Sequence, residues 1–264
     1  MFAAPVLINW FVQRLHTEPR DTSSLKLMLY GASPIPPSVL RDAMEIMPNT
    51  GFQHLYGMTE AGGTVVQMAP SEHDPGNPER LKSCGQPRFN IDLRIENESG
   101  EVQPVGAVGE VMIRGPVLMS EYWRKPEATA AVFREGWYRT GDAGYLDEDG
   151  FLYIVDRVKD MIITGGENVY PAEVENALYE HNAVAMAAVI GLPDSNWGEA
   201  VTAFIQRQPD ATLTETELRQ FLRSMIAGYK IPKRIEFVEE MPLTPSNKIR
   251  KHILRERFTT REVS

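Results

Sequence analysis

The stretch YIVDRVKDMIITGGENVYPAEVE, Tyr153 to Glu175, organises the reading of the whole chain. Phe151 to Val155, which runs into it, is apolar and rich in β-formers, as a strand is. Asp156, Arg157, Lys159 and Asp160 interrupt that run with charges of both signs. Met161, Ile162 and Ile163 resume it, and Gly165-Gly166 breaks it. Pro171 suits the first turn of a helix, and Ala172-Glu173-Val174-Glu175 adds good helix formers with acids in that turn. A charged joint between two apolar strands is a place for two bodies to meet. The chain is therefore expected to divide here, into residues 1–156 and residues 157–264.

Composition narrows the classes of function. The 264 residues suffice for more than one domain, and 42% hydrophobic with 24% charged residues describes an ordinary globular chain with ample core material. The net charge of −9 argues against non-specific binding to nucleic acid or to an anionic membrane, both of which need a basic surface. It leaves room for a small anionic ligand held by a few local bases. The single cysteine, Cys84, forms no internal disulfide and suits a reducing cytoplasm; it reads as a small buried residue. No stretch has the apolar length of a membrane span. Met1 to Val12 is apolar but lacks the basic start and small-residue cleavage site of a signal peptide. It reads as a helix from inside a larger domain, with the expectation that further chain lies upstream. Nothing here fixes an oligomeric state.

Before the joint, Leu25 to Tyr30 is a strand candidate and Gly31-Ala32-Ser33-Pro34 turns out of it. Val39 to Met47 has helical spacing, and Gly51 to Tyr56 is a second strand. Strand, helix, strand is an α/β unit, placed at residues 1–80. Pro70 to Pro87 reads as a connecting loop. Ile91–Glu96, Glu110–Arg114, Trp137–Thr140 and Phe151–Val155 are short strands between glycine turns, with one helix over Pro126–Phe133. They predict a small β-subdomain at residues 81–156. After the joint come a helix from Pro171 to about His181, strands Val184–Ile190 and Ala200–Gln206, and a helix Thr214–Ala227 opened by a Thr214/Glu217 capping box. A strand Arg234–Val238 and a helix Ile249–Phe258 complete a compact α+β domain of normal size.

Several short segments have residues suited to chemistry. In Tyr56-Gly57-Met58-Thr59-Glu60, at a strand end, a ring can stack on a base, a hydroxyl can bond a phosphate oxygen, and a carboxylate can hold Mg²⁺. The plain alternative is a turn. Tyr138-Arg139-Thr140-Gly141-Asp142 places an acid just after a short strand, where it can accept ribose hydroxyls or simply bond its own backbone. Arg157 and Lys159 beside Asp156 and Asp160 also describe a solvated ion-pair cluster. Gly165-Gly166 is a turn or a place where a ligand passes close to the backbone. Lys248 stands at the tip of a proline-bounded loop, a mobile point charge or an exposed lysine. His16, His54, His73, His181 and His252 are scattered and read as surface or core residues, without metal-ligand spacing.

Taken together and in order, these segments resemble the acyl-adenylate-forming superfamily, over most of the chain. Gly31-Ala32-Ser33-Pro34 is similar to its adenine-side loop, and Tyr56 to Glu60 to its Tyr-Gly-x-Thr-Glu. Tyr138 to Asp142 matches its Arg-Thr-Gly-Asp segment. Asp156 to Asp160 with Gly165 to Pro171 is similar to its hinge, and Thr244 to Arg250 to its closing lysine loop. The wording ITGGENVYPAEVE looks most like fatty-acyl and related acyl-CoA synthetases.

The resemblance implies a fold that is α/β plus α+β: a partial α/β large domain with its β-subdomain, then a mobile α+β domain. It implies a two-step ligase. A carboxylic acid reacts with Mg-ATP to give acyl-AMP, and the thiol of coenzyme A then displaces AMP. Gly31, Ala32, Ser33, Tyr56, Gly57, Thr59, Asp142, Arg157 and Lys248 would bind the nucleotide, with Glu60 on Mg²⁺. Thr59, Glu60 and Lys248 would serve catalysis, Lys159 the hinge, and Gly165, Gly166 and Glu167 the coenzyme A path. Gly62-Gly63-Thr64 would line the acyl pocket. Two departures stand out. The family's phosphate-gripping Ser/Thr/Gly-rich loop is missing from these residues, so the chain alone is expected to be inactive, with a non-catalytic remnant or interaction module as the alternative. Asn247 also stands where glycine is usual before the lysine.

Overall fold

In the computed structural model, residues 1–244 and 249–261 are described, with side chains as far as residue 258. The chain separates into two compact units, Met1–Ile154 and Val155–Ser264.

The first unit opens with strand β1 (Phe2–Ala3), helix α1 (Pro5–Thr17), strand β2 (Leu27–Gly31), helix α2 (Pro37–Ile46) and strand β3 (Gly51–Met58). Each helix starts on a proline, whose missing N–H costs nothing in a first turn. The three strands are parallel, with Phe2 beside Leu29 and Leu29 beside Gln53. Ile8 and Val12 of α1 and Leu40 and Ala43 of α2 pack with Met28, Tyr30 and Phe52 into one core. Each large apolar side chain so buried stabilises the fold by about 1.5–3 kcal/mol. Met1 to Val12 is thus not helical throughout: its first residues form a strand, because the Met1 carbonyl accepts from the Leu29 N–H (2.7 Å) and Pro5 fixes where the helix begins.

Strand β4 (Gly63–Met68) was not expected. It folds back antiparallel on β3, and β5 (Gln86–Pro87) follows it, so the first sheet has the order β1-β2-β3-β4-β5. A second sheet comprises β6 (Asp92–Glu96), β7 (Gly109–Arg114), β8 (Phe133–Arg134), β9 (Trp137–Leu146) and β10 (Leu152–Arg157), with helix α3 (Pro126–Val132) before β8. Its order is β10-β9-β7-β6, with β8 paired to β9. Val111, Ile113, Tyr138 and Leu152 lie in the core of this region. Strand β9 is 10 residues long and runs well past the Trp137–Thr140 read from the sequence, so Asp142 lies within a strand rather than after one.

The second unit has strands β11 (Ile162–Thr164) and β12 (Glu167–Val169), helix α4 (Pro171–Tyr179), strands β13 (Val184–Asp194) and β14 (Gly198–Arg207), helix α5 (Glu215–Leu222), strand β15 (Arg234–Phe237) and helix α6 (Lys251–Arg261). The sheet order is β12-β11-β14-β13, with β15 parallel to β14. Val201, Ala203 and Ile205 of β14 pack with Val174 and Leu178 of α4 and Leu218 and Leu222 of α5. Phe204 packs in a separate cluster with Leu254 of α6, its ring 4.6 Å from that of Phe258. Both faces are buried, which is why β13 and β14 read as nearly unbroken apolar runs. Helix α5 stops at Leu222, short of Ala227, because the chain turns there and brings Ile226 and Ile231 against the core.

Candidate nucleotide site

Strands β2 and β3 lie side by side, and their C-terminal ends carry the first two motifs. Gly31 closes β2 beside Leu55, where a Cβ would run into the Leu55 carbonyl. Ala32 follows at φ 70°, a left-handed conformation rarely adopted by a residue with a side chain. Ala32 and Ser33 are exposed. Beneath this turn Tyr30 and His54 are register partners, their rings stacked 4.6 Å apart. The Tyr30 hydroxyl lies 2.8 Å from His73 Nε2, and His73 Nδ1 lies 2.9 Å from the Ala69 carbonyl. Nδ1 therefore carries the proton and Nε2 accepts from Tyr30. Burial pushes the His54 imidazole down to about 4 and lowers His73 as well. Of the histidines read as surface or core, His54 and His73 are buried, both against Tyr30.

The second motif lies in a hairpin. Strand β3 runs through Tyr56 and Gly57 to Met58, Thr59 to Ala61 make one 3₁₀ turn, and Gly62 at φ 63° leads into β4. Gly57 lies so close to Gly63 that a Cβ would meet its carbonyl. The Tyr56 hydroxyl donates to Asp142 Oδ2 at 2.6 Å, across 86 residues of chain. Burial first, and then the Asp142 carboxylate, raise the Tyr56 phenol well above its ordinary range, so it remains a donor. The Glu60 carboxylate accepts from the Tyr122 hydroxyl at 2.8 Å, and the Glu60 carbonyl accepts from the Met119 N–H at 2.7 Å. Nothing in the sequence marked Tyr122.

Asp142 is aimed by an irregularity in its strand. Met112 pairs with Arg139 and Glu110 with Ala143, so three residues of β9 face Val111 alone. Gly141 takes φ 70° within that bulge, and its N–H donates to Glu110 Oε1 at 3.2 Å. The Thr140 hydroxyl donates to the Val111 carbonyl at 2.8 Å and accepts from the Asp142 N–H at 3.0 Å. Bulges of this kind re-aim a side chain beside a functional site. Asp142 is buried and held by Tyr56. Tyr56 and Asp142 thus meet within one unit, Tyr56 lying on the strand beside the one that carries Gly31, while Thr59 and Glu60 lie on the turn that follows Tyr56.

The remaining candidates belong to the second unit. Arg157 and Lys159 are exposed, Lys159 on a single 3₁₀ turn. Asp156 is more than one charge in a surface cluster. Its carboxylate accepts from the Arg157 N–H and from the Ala172 N–H, each at 2.7 Å, and so ties the joint to the start of α4. Gly165 and Gly166, at φ 61° and 85°, make the two-residue turn between β11 and β12. That Gly-Gly pair between short β-rich runs was the signal for the overlooked strand β12. A Cβ at Gly165 would lie 2.8 Å from the Trp197 ring, whereas Gly166 and Glu167 face outward. Lys248 lies outside the described residues. Cys84 is buried, its thiol pushed up to about 12 by desolvation, too high to serve as a nucleophile.

Comparison with known proteins identifies the family. The family model for AMP-binding enzymes matches residues 1–123, and that for the AMP-binding enzyme C-terminal domain matches residues 173–248. The chain belongs to the adenylate-forming, AMP-binding enzymes. It is 42% identical over 254 residues to a fatty acid–[acyl-carrier-protein] ligase of Streptomyces coeruleorubidus, covering 96% of this chain and 49% of the relative. Among solved structures it resembles an amide bond synthetase from Marinactinospora thermotolerans, with a TM-score of 0.86, 39% identity, and coverage of 97% of this chain and 51% of that one. It also resembles the o-succinylbenzoate coenzyme A synthetase of Bacillus subtilis in complex with its acyl-adenylate intermediate. That match has a TM-score of 0.84 and 35% identity, and covers 97% of this chain and 50% of the other. The chain spans about half the length of the relatives it matches.

The family resemblance implies Mg²⁺ beside the phosphates. Among the described residues no three His, Cys, Asp or Glu side chains cluster as a metal cage. Mg²⁺ is usually bound by one or two carboxylates together with substrate phosphates and waters. The single carboxylate of Glu60, steadied by Tyr122, fits that mode. No helix among the described residues is long and apolar enough to cross a membrane.

Proposed function

We propose that this chain carries the adenine and ribose side of a carboxylate-activating site, belonging to an acyl-CoA synthetase. The bonded pair Tyr56–Asp142 beside Thr59 and Glu60 is the observation that carries this reading. The two carboxylate oxygens of Asp142 accept the two ribose hydroxyls. Tyr56 offers its ring to adenine while its hydroxyl fixes that carboxylate. Gly31, Ala32 and Ser33 border the base with exposed backbone, and Gly57 lets the two strands close up beside it. Thr59 donates to an α-phosphate oxygen. Mg²⁺ held at Glu60 would neutralise charge on the phosphates.

In the first half-reaction a carboxylate oxygen of the acid bonds to the α-phosphorus, the bond to the β-phosphate breaks, and pyrophosphate leaves. In the second the thiol of coenzyme A loses its proton, sulfur bonds to the acyl carbon, and AMP departs with the electron pair. Lys248 is the fixed cation for the first step, where charge builds on the reacting oxygens. Arg157 supports the ribose, Lys159 serves as the hinge, and Gly165, Gly166 and Glu167 border the thiol path. The similar proteins act on fatty acids or on o-succinylbenzoate by name, which supports a fatty or related carboxylic acid as substrate. Their acceptors differ, and the glycine turn at Gly165-Gly166, open at Gly166, is our reason for choosing a thiol.

The direct test is calorimetric titration of residues 1–264 with AMP. Binding is expected, and Asp142→Asn should weaken it by about tenfold or more. Tyr56→Phe should weaken it less, since the ring remains. AMP binding that is indifferent to Asp142→Asn would sink the assignment.

A further inference from the structure

Of Tyr138 to Asp142, the nucleotide reading uses Asp142 alone. Arg139 is engaged elsewhere. Its guanidinium donates through Nε at 3.0 Å and Nη2 at 2.8 Å to Oε2 of Glu110, on the neighbouring strand β7. The other oxygen of that carboxylate, Oε1, accepts the Gly141 N–H at 3.2 Å. One carboxylate thus holds residues 139 and 141, on either side of Thr140. The Thr140 hydroxyl in turn bonds the carbonyl of Val111, the next residue of β7, and takes the Asp142 N–H. Every residue from Arg139 to Asp142 is therefore fastened to Glu110 or Val111, directly or through Thr140.

The bulge needs such a fastening. Strand pairing skips from Met112–Arg139 to Glu110–Ala143, so the residues between lack the ladder partners that fix an ordinary strand. Gly141, at φ 70°, also has more conformational freedom to lose than any other residue type. A lone surface ion pair contributes little. Here two guanidinium donors converge on one oxygen, which fixes direction as well as distance, and the Glu110 side chain is only 12% exposed. In the Arg114–Asp92 pair of the same sheet both side chains are more than half exposed.

We propose that Glu110 and Arg139 are positioning residues for the ribose-binding carboxylate. They latch the bulge, and the latched bulge holds the Asp142 side chain where Tyr56 and the ribose hydroxyls meet it. They act through Asp142 rather than on the nucleotide, and the proposal rests on the nucleotide reading of that residue.

The test compares AMP with dideoxy-AMP, which lacks both ribose hydroxyls, by calorimetric titration of residues 1–264. The unaltered chain is expected to prefer AMP by about tenfold or more. Glu110→Ala and Arg139→Ala should each shrink that preference about threefold or more, by weakening AMP while dideoxy-AMP binds as before. Beside Asp142→Asn, neither should have any further effect. Arg139→Lys, which keeps the charge, should restore part of the preference, and Arg114→Ala should leave it whole. The Arg139 side chain is 38% exposed, so Arg139→Ala is expected to keep the fold by circular dichroism and carries the test if Glu110→Ala does not fold. Equal weakening of both nucleotides by Arg139→Ala, or an effect that persists beside Asp142→Asn, would overturn the latch alone. An unaltered chain that does not distinguish the two nucleotides would remove the ribose reading, and the latch with it.

Discussion

Ala32 is held at φ 70°, where a side chain costs about 1–2 kcal/mol. Glycine would relieve that strain while losing about 0.4–1 kcal/mol through the looser unfolded chain. The relief is larger, so Ala32→Gly is expected to stabilise the first unit by about 0.5 kcal/mol, read as a higher denaturant midpoint with unchanged slope. A lowered midpoint would show that the turn is not strained. His54 supplies a pH-dependent contribution. Its folded value of about 4 lies below the unfolded 6.5, so the unfolded chain binds the proton first as pH falls. Stability is full above 6.5 and drains away between 6.5 and 4, by at most about 3 kcal/mol. His73, also lowered, acts in the same direction. Denaturant midpoints at pH 7, 5.5 and 4 should fall less steeply for His54→Phe, which keeps a ring against Tyr30 but cannot titrate. Parallel curves would refute the assignment.

Two helix starts show how far local sequence reaches. The Thr214 cap of α5 was legible because its partner Glu217 is three residues away, and the structure forms both bonds of the box. The cap of α4 comes from Asp156, 16 residues before its partner Ala172, and no local pattern announces it. Each substitution, Thr214→Ala and Asp156→Ala, is expected to cost about 1 kcal/mol by chemical unfolding. If Asp156→Ala costs nothing, the joint is not fastened to α4. The overlooked strands follow a related rule. β4 and β12 each sit behind a glycine turn, and short strands draw their stability from cross-strand partners rather than from their own residues.

At the scale of the molecule, the expected α/β and α+β pattern is present, and five ordered motifs were enough to point to the adenylate-forming enzymes. Residues 1–264 alone are expected to bind AMP yet catalyse no ATP–pyrophosphate exchange with a fatty acid, since no loop resembling the family's phosphate grip lies within them. Clear exchange by this chain would refute that. In a preparation that does adenylate, Lys248→Ala should abolish exchange and spare thioester formation from supplied acyl-AMP; equal loss of both would remove the lysine from its assigned step.

Sequence by itself determined most of the strand and helix alternation, the fold class and the family, because the signals for each lie within a few neighbouring residues. Tertiary structure alone decided that Tyr56 meets Asp142, that a bulge opposite Val111 aims that carboxylate, and that Tyr122 steadies Glu60. Those contacts join residues dozens of positions apart, and their geometry depends on strand register, which one inserted residue shifts.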